Sequence, residues 1–237
     1  MLDRKTFYNE LETNLHTRLK RDHPIIDELF EKKDPELLRI MVKQGYQLTK
    51  VFAIYVGGLY YRCPIAKYRK KFALNVYEEE TGKISGTDGH LELLNRFVSS
   101  LGITEEDLNT VEINPETQEL IDFRFNLIED KSKFHIACAA VMIASEGQNL
   151  EDRVGTMRRE KIAEEFGLDI ADMIFFKVHA EEDVYHVRDG LNCVADVCTT
   201  KEMQEEAIKA IHDTCDKFDR HYDGILREYR KINTPVV

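Results

Sequence analysis

The chain has 237 residues, 43% hydrophobic and 32% charged, enough apolar material for one substantial core and enough charge to solvate its outside. A formal charge of −11, with no basic stripe interleaved with aromatics, argues against nucleic acid or an anionic membrane as a partner. The five cysteines, Cys63, Cys138, Cys193, Cys198 and Cys215, are odd in number and include no Cys-x-x-Cys pair, so they read as reduced, buried thiols of a cytoplasmic protein.

Only five prolines and twelve glycines occur, and apolar residues recur every three or four positions, so the chain reads as mostly helix. Met1 to Thr6 lacks the apolar run of a signal peptide. Asp3 to Leu19 is amphipathic, with Phe7, Leu11, Leu15 and Leu19 on one side. His23-Pro24 starts a short helix through Phe30. Asp34-Pro35, a cap followed by proline at the first helical position, opens a long helix through about Tyr61. Inside it Gly57-Gly58 costs roughly 1 kcal/mol per glycine relative to alanine, which signals a kink, close helix packing or room for a ligand. Val51 to Tyr61, the longest apolar run, falls far short of the ~20 residues of a membrane span.

Pro64 begins a helix to Glu80, followed by a breaker-rich loop, Thr81 to Gly89. His90 opens the next helix, whose core face is Leu91, Leu93, Leu94 and Phe97 and whose end is Leu101-Gly102. Thr104 to Asp107 is a capping sequence for a short turn, and Asn114-Pro115 starts a helix through about Glu129. His135 to Glu146 is the most apolar helix and must be largely buried. Glu151 to Phe166 is amphipathic and ends at Gly167. A further helix runs from about Asp169 to Arg188, with Gly190 placed to end it. Thr199 with Glu202 forms a capping box for a last helix to about Lys231. There is no internal repeat, linker or low-complexity segment. The expected architecture is all-α: a single domain, residues 1–237, of about eight to ten helices.

Chemistry concentrates on the penultimate helix. At about 100° per residue, His179, Asp183 and His186 fall within roughly 60° of one another. Two imidazoles and a carboxylate on one stripe suit iron, zinc or manganese, or they are simply part of a polar face. Glu146 ends the most apolar helix, where a carboxylate is costly unless it is paired, bound to a cation or reaches solvent. Glu78-Glu79-Glu80 sits at a helix C-terminus, where the dipole disfavours negative charge and a cation would reverse that cost. An exposed acidic turn is the plain alternative. His90 stands at a helix start. Each is weak alone. Together Glu79, His90, Glu146, His179, Asp183 and His186 supply three carboxylates and three histidines from four helices, the number and type that hold two metal ions in a helical bundle.

These residues also carry a resemblance. Asn75-x-x-x-Glu79-Glu80-x-Gly82, the His90 helix ending in Leu101-Gly102, Ser145-Glu146-Gly147-Gln148, and His179-x-x-x-Asp183-x-x-His186 resemble, in order, the ligand regions of the haem-oxygenase-like diiron oxidases and oxygenases. That resemblance covers nearly the whole chain. It implies a seven-helix, haem-free core, two Fe(II) ions as cofactors, O₂ as co-substrate, and Glu79 rather than Glu78 or Glu80 as the first ligand. Relatives carry out amino-acid N-oxygenation, oxidative C–C scission of amino and fatty acids, p-aminobenzoate formation and nitrile formation. The loop between Gly82 and His90 is longer than in the relatives. Phe30 stands where self-sacrificing p-aminobenzoate synthases carry a reactive tyrosine, while Lys161 matches a lysine of those relatives and equally suits an exposed helix face.

The expected function is O₂-dependent oxidation of a small molecule by a non-haem diiron enzyme. Among relatives the pattern is most similar to those turning tryptophan-like amino acids into nitriles. The alternatives are oxidative decarboxylation or C–C scission of a fatty acid or another amino acid, and a metal-free binding protein on the same fold. Ala139, Met142 and Ile143, one or two turns before Glu146, and Phe175 and Phe176, before His179, are the expected substrate contacts, with ordinary core the competing reading. A small-molecule substrate is the expected partner, with an external electron donor and a homodimer built on an exposed helix face as further ones.

Overall fold

Helix caps set the outline. The computed structural model describes residues 1–19, 23–150 and 158–233, and no strand occurs among them. The chain runs through α1 (Arg4–Leu19), α2 (Pro24–Lys32), α3 (Pro35–Thr49), α4 (Phe52–Arg62), α5 (Ala66–Thr81) and α6 (His90–Ser100). It continues through α7 (Glu105–Thr110), α8 (Pro115–Glu129), α9 (Phe134–Cys138), α10 (Arg158–Phe166), α11 (Ile174–Val197) and α12 (Lys201–Ile232). His23, Asp34 and Thr104 cap their helices through side chains, and Gly82 ends α5 in the left-handed region at φ 61°.

Some boundaries differ from the sequence expectation. The long helix from Asp34 breaks at Lys50–Val51 into α3 and α4. Gly57 and Gly58 lie within α4, and the Gly58 site is filled by Ile128 of α8, so that glycine serves helix packing. Thr200 rather than Thr199 caps α12, accepting from the Met203 amide. The expected helix from Glu151 has its first seven residues outside the described ones and is seen from Arg158.

The other two differences place the site. His135 to Glu146 is not uniformly α-helical: after α9 the chain widens into a π-helix at Ala139–Ser145, then tightens to a 3₁₀ turn at Glu146–Asn149. The Ser145 hydroxyl donates to the Ala140 carbonyl five residues back at 2.9 Å. Wide turns of this kind re-aim the residues that follow and recur at functional sites. Gly190 does not end its helix, because α11 continues to Val197. A Cβ at Gly190 would come within 2.7 Å of the Met142 Cβ and 2.9 Å of the Met142 carbonyl oxygen. The glycine permits contact with the π-segment, and that packing overrides its tendency to stop a helix.

α11 and α12 tie together two apolar cores. One gathers Phe7, Leu11 and Leu15 of α1, residues of α4 and α5, the π-segment, and the C-terminal half of α11. The other gathers α2, α3 and α6 with Phe175 and Val178 of α11 and Ile225, Leu226 and Tyr229 of α12. His179, Asp183 and His186 lie on α11 between them. All five cysteines are free and buried, as small core residues.

At the end of α11, Asp196 receives Arg4 of α1, the Lys67 ammonium at 2.6 Å and the Tyr68 hydroxyl at 2.5 Å. Burial raises its carboxyl pKa, but these donors outweigh it and bring the value to about 2. A depressed folded-state pKa stabilises the fold above the unfolded value near 3.8 and loses that contribution as pH falls toward 2. Asp196→Asn is therefore expected to lower stability by about 2 kcal/mol at pH 7, with roughly half that deficit by pH 3, measured by urea unfolding. Gly190→Ala is expected to cost about 1–3 kcal/mol through overpacking against Met142, read as a fall in thermal midpoint.

Candidate metal centre

Each expected ligand is placed by its own helix. On α5, Phe72, Asn75 and Glu79 recur at three- and four-residue spacing on one buried face, while Glu80 is exposed. His90 is the first residue of α6 and is 1% exposed. Glu146 leaves the π-segment, and His179, Asp183 and His186 descend α11.

The six meet in two groups. Glu79, His90 and His179 offer donor atoms all within 4.8 Å of one another, and so do Glu146, Asp183 and His186. In the first, His90 Nδ1 is 3.1 Å from Glu79 Oε2, and the His90 and His179 rings are 4.5 Å apart. His179 Nδ1 donates to the Phe175 carbonyl at 2.8 Å, which leaves the Nε2 lone pair free to face an ion. In the second, His186 Nδ1 is 3.3 Å from Glu146 Oε1 and 3.5 Å from Asp183 Oδ1. The Asn75 amide donates to Glu146 Oε1 at 3.0 Å, tying the second group to α5, the helix that carries Glu79.

The donor set fits divalent metal ions. Glu79 Oε1, both His90 nitrogens, both Asp183 oxygens and His186 Nδ1 are buried without a hydrogen-bond partner, a cost that coordination would remove. Burial, then the Asp183 charge, raises the Glu146 pKa. Burial alone would lower that of His186, but the Glu146 and Asp183 carboxylates drive it upward.

The resemblance sets Glu78 aside in favour of Glu79, and Glu182 is not singled out from the sequence, yet with His90 they form a third close group. Glu78 Oε1 and Glu182 Oε2 stand 3.6 and 3.7 Å from His90 Nε2. Glu78 also accepts the amides of Ile84 and Ser85 and the Ser85 hydroxyl. Burial lifts its pKa, and those donors more than reverse the shift. The long loop after Gly82 is thereby tied to the carboxylate that faces His90. The one sequence signal was the run of three glutamates, with the middle and first both turned inward.

A cavity of about 310 Å³ opens beside the centre, lined by Glu79, Glu146, His179 and a largely apolar wall that includes Phe97, Phe175 and Phe176. Ala139, Met142 and Ile143 do not line it. They are buried in the α1-side core, Met142 against Gly190, because the π-turn rotates them off the direction that regular helical spacing from Glu146 implied. Arg124 also lines the cavity. Its signal was a cation at a core position of α8, in step with Thr117, Leu120 and Ile121.

Residues 39–217 match the model of a family of iron-containing redox enzymes with the haem-oxygenase-like fold. The chain belongs to this family. It is 24% identical to a 4-aminobenzoate synthase of Nitrosomonas europaea, over 94% of this chain and 92% of that one. It is 25% identical to a 4-aminobenzoate synthase of Chlamydia pneumoniae, over 74% of this chain and 77% of the relative. A structure from Shewanella denitrificans, a domain of unknown function with a haem oxygenase-like fold, superposes with a TM-score of 0.73. It is 19% identical and covers 99% of this chain and 96% of that one. No described helix is long and apolar enough to cross a membrane.

A bound ion is expected to raise the thermal midpoint, by the equivalent of about 2.7 kcal/mol at a hundredfold excess over its dissociation constant. Asp183→Asn is expected to lose most of that gain while folding as well as wild type without metal. Thermal melts with Fe(II) under argon, reversed by chelator, check this, and an equal gain in the variant would count against the grouping.

Proposed function

We propose that this chain is a dinuclear iron oxidoreductase that uses dioxygen to oxidise a small molecule held in the adjoining cavity. The observation that carries the reading is the convergence of six imidazole and carboxylate side chains in two largely buried groups, with six of their nitrogen and oxygen atoms buried without a hydrogen-bond partner. Glu79, His90 and His179 would hold one ion, and Glu146, Asp183 and His186 the other. Iron so bound supplies electrons and open coordination positions for dioxygen.

The chain's own residues then position and shield. The Phe175 carbonyl fixes the His179 tautomer, Asn75 orients Glu146, and Glu78, pinned by the Ile84–Ser85 amides, faces the far nitrogen of His90. Phe97, Phe175 and Phe176 keep the cavity dry beside the ligands. Its volume suits a small organic molecule.

The named relatives, 4-aminobenzoate synthases, favour a second reading in which this chain forms 4-aminobenzoate. Phe30, with the Lys161 ammonium 3.8 Å above its ring centre, offers no phenol to consume, whereas Tyr46 and Tyr222 line the cavity. We therefore favour a free substrate and keep those tyrosines as the alternative source. Nitrile formation from a tryptophan-like amino acid draws on the aromatic lining alone and gains no support from the 4-aminobenzoate synthases named above.

Anaerobic Fe(II) titration is expected to give two ions per chain, and fewer in Glu146→Ala and His186→Ala. Dioxygen consumption by the loaded protein should then rise with one class in a panel of amino acids and fatty acids, and the intact chain mass should stay unchanged over many turnovers. No stoichiometric iron, or identical binding in both variants, would sink the centre. A mass change at Tyr46 or Tyr222 with release of 4-aminobenzoate would select the second reading.

A further inference from the structure

Arg124 is the largest fully buried side chain in the described protein, 2% exposed on the inner face of α8. Its Nε donates to the Leu120 carbonyl one turn back at 3.3 Å. The guanidinium lies 5.0 Å from the Tyr55 ring centre and 5.5 Å from that of Phe218. Nη2 has no hydrogen-bond partner, and among the described residues no carboxylate pairs with the group. Burial lowers its pKa only to about 10, so the side chain stays charged at neutral pH. A desolvated cation without a counter-ion is expensive, and two aromatic faces recover only part of the loss.

Arg124 is among the residues lining the cavity that reaches Glu79, Glu146 and His179. Its neighbour in that lining, His221, is neutral: burial, then the Arg124 charge, pushes its pKa down to about 3, and its Nδ1 meets the Thr117 hydroxyl at 2.8 Å. Arg159, the other cation of the lining, is partly exposed and paired with Glu160 at 2.7 Å. The wall thus presents a single unpaired, fixed positive charge among the described residues, set in apolar surroundings.

We infer that Arg124 anchors the carboxylate of the substrate, an apolar or aromatic monocarboxylic acid whose body extends through the cavity toward Glu79, Glu146 and His179. A guanidinium matches a carboxylate in shape and hydrogen bonding. A phosphate would bring a second charge with no second free cation to meet it. The inference rests on the reading of this cavity as the substrate pocket, but it does not require the metal ions.

Calorimetry on the full chain tests it with 4-aminobenzoate, 3-phenylpropionate, indole-3-propionate and decanoate, each against its neutral primary amide, both metal-free and loaded with Fe(II) under argon. At least one acid is expected to bind both forms about 10- to 100-fold tighter than its amide. Arg124→Met should abolish that preference, and Arg124→Lys should retain part of it. Equal affinity of acid and amide in wild type, or no binding by any acid, overturns the anchor even if a variant fails to fold. A preference that survives in Arg124→Met overturns it too. An acid that binds only the iron-loaded form identifies the metal as its partner and overturns the anchor. Acid binding retained in a protein that takes up no iron leaves the anchor standing and removes the diiron reading instead.

Discussion

Burying several charged side chains between two apolar cores is the constraint on which the rest of this structure depends. Carboxylates and imidazoles taken out of water are costly unless each is paired or coordinated. Here His179, Asp183 and His186 occupy one stripe of α11 where it passes from one core to the other. The apolar ends of α11 and α12 fix the stripe in place, so the polar groups in the middle have little freedom to rotate to solvent. A site held this way is preorganised by packing that lies on either side of it.

The π-helix is the second device. Helix 135–146 must bury its apolar side and also deliver Glu146 into the polar band. A regular α-helix that keeps Val141 and Met142 in the core would not aim the glutamate in the same direction. The wide turn at Ala139–Ser145 separates the two demands, and Gly190 lets α11 approach it closely enough to lock the arrangement. The residues one turn before Glu146 thereby become packing, and the cavity is walled instead by Phe97, Phe175 and Phe176.

Second-layer contacts give the centre its asymmetry. His179 has a backbone carbonyl behind it, Glu146 has an amide side chain, and His90 faces two further carboxylates, one of them tied to the loop that follows α5. Imidazole orientation and basicity depend on such partners as much as on the ion. In the lining of the same cavity Arg124 poses the reverse problem, a cation with aromatic neighbours and, among the described residues, no paired anion. The cavity lining therefore carries both carboxylates and an unpaired cation, a basis for recognising a polar-ended molecule.

Much of this was legible in the chain. Three- and four-residue apolar periodicity, Pro35 and Pro115 behind their caps, and Thr104 with Asp107 specify helices locally, so α1, α3, α6, α7 and α8 begin where the sequence places them to within a residue. The i, i+4, i+7 spacing alone puts His179, Asp183 and His186 on one stripe, since helical geometry is fixed by the backbone. Tertiary packing decided the rest. The same glycine can stop a helix or admit a neighbour, and only contact with Met142 distinguishes the two at Gly190. A π-turn leaves no periodic mark, because it is stabilised by what it packs against. The inward turn of Glu78, and the absence of any anion beside Arg124 among the described residues, depend on which distant segments meet them, and no local pattern encodes that meeting.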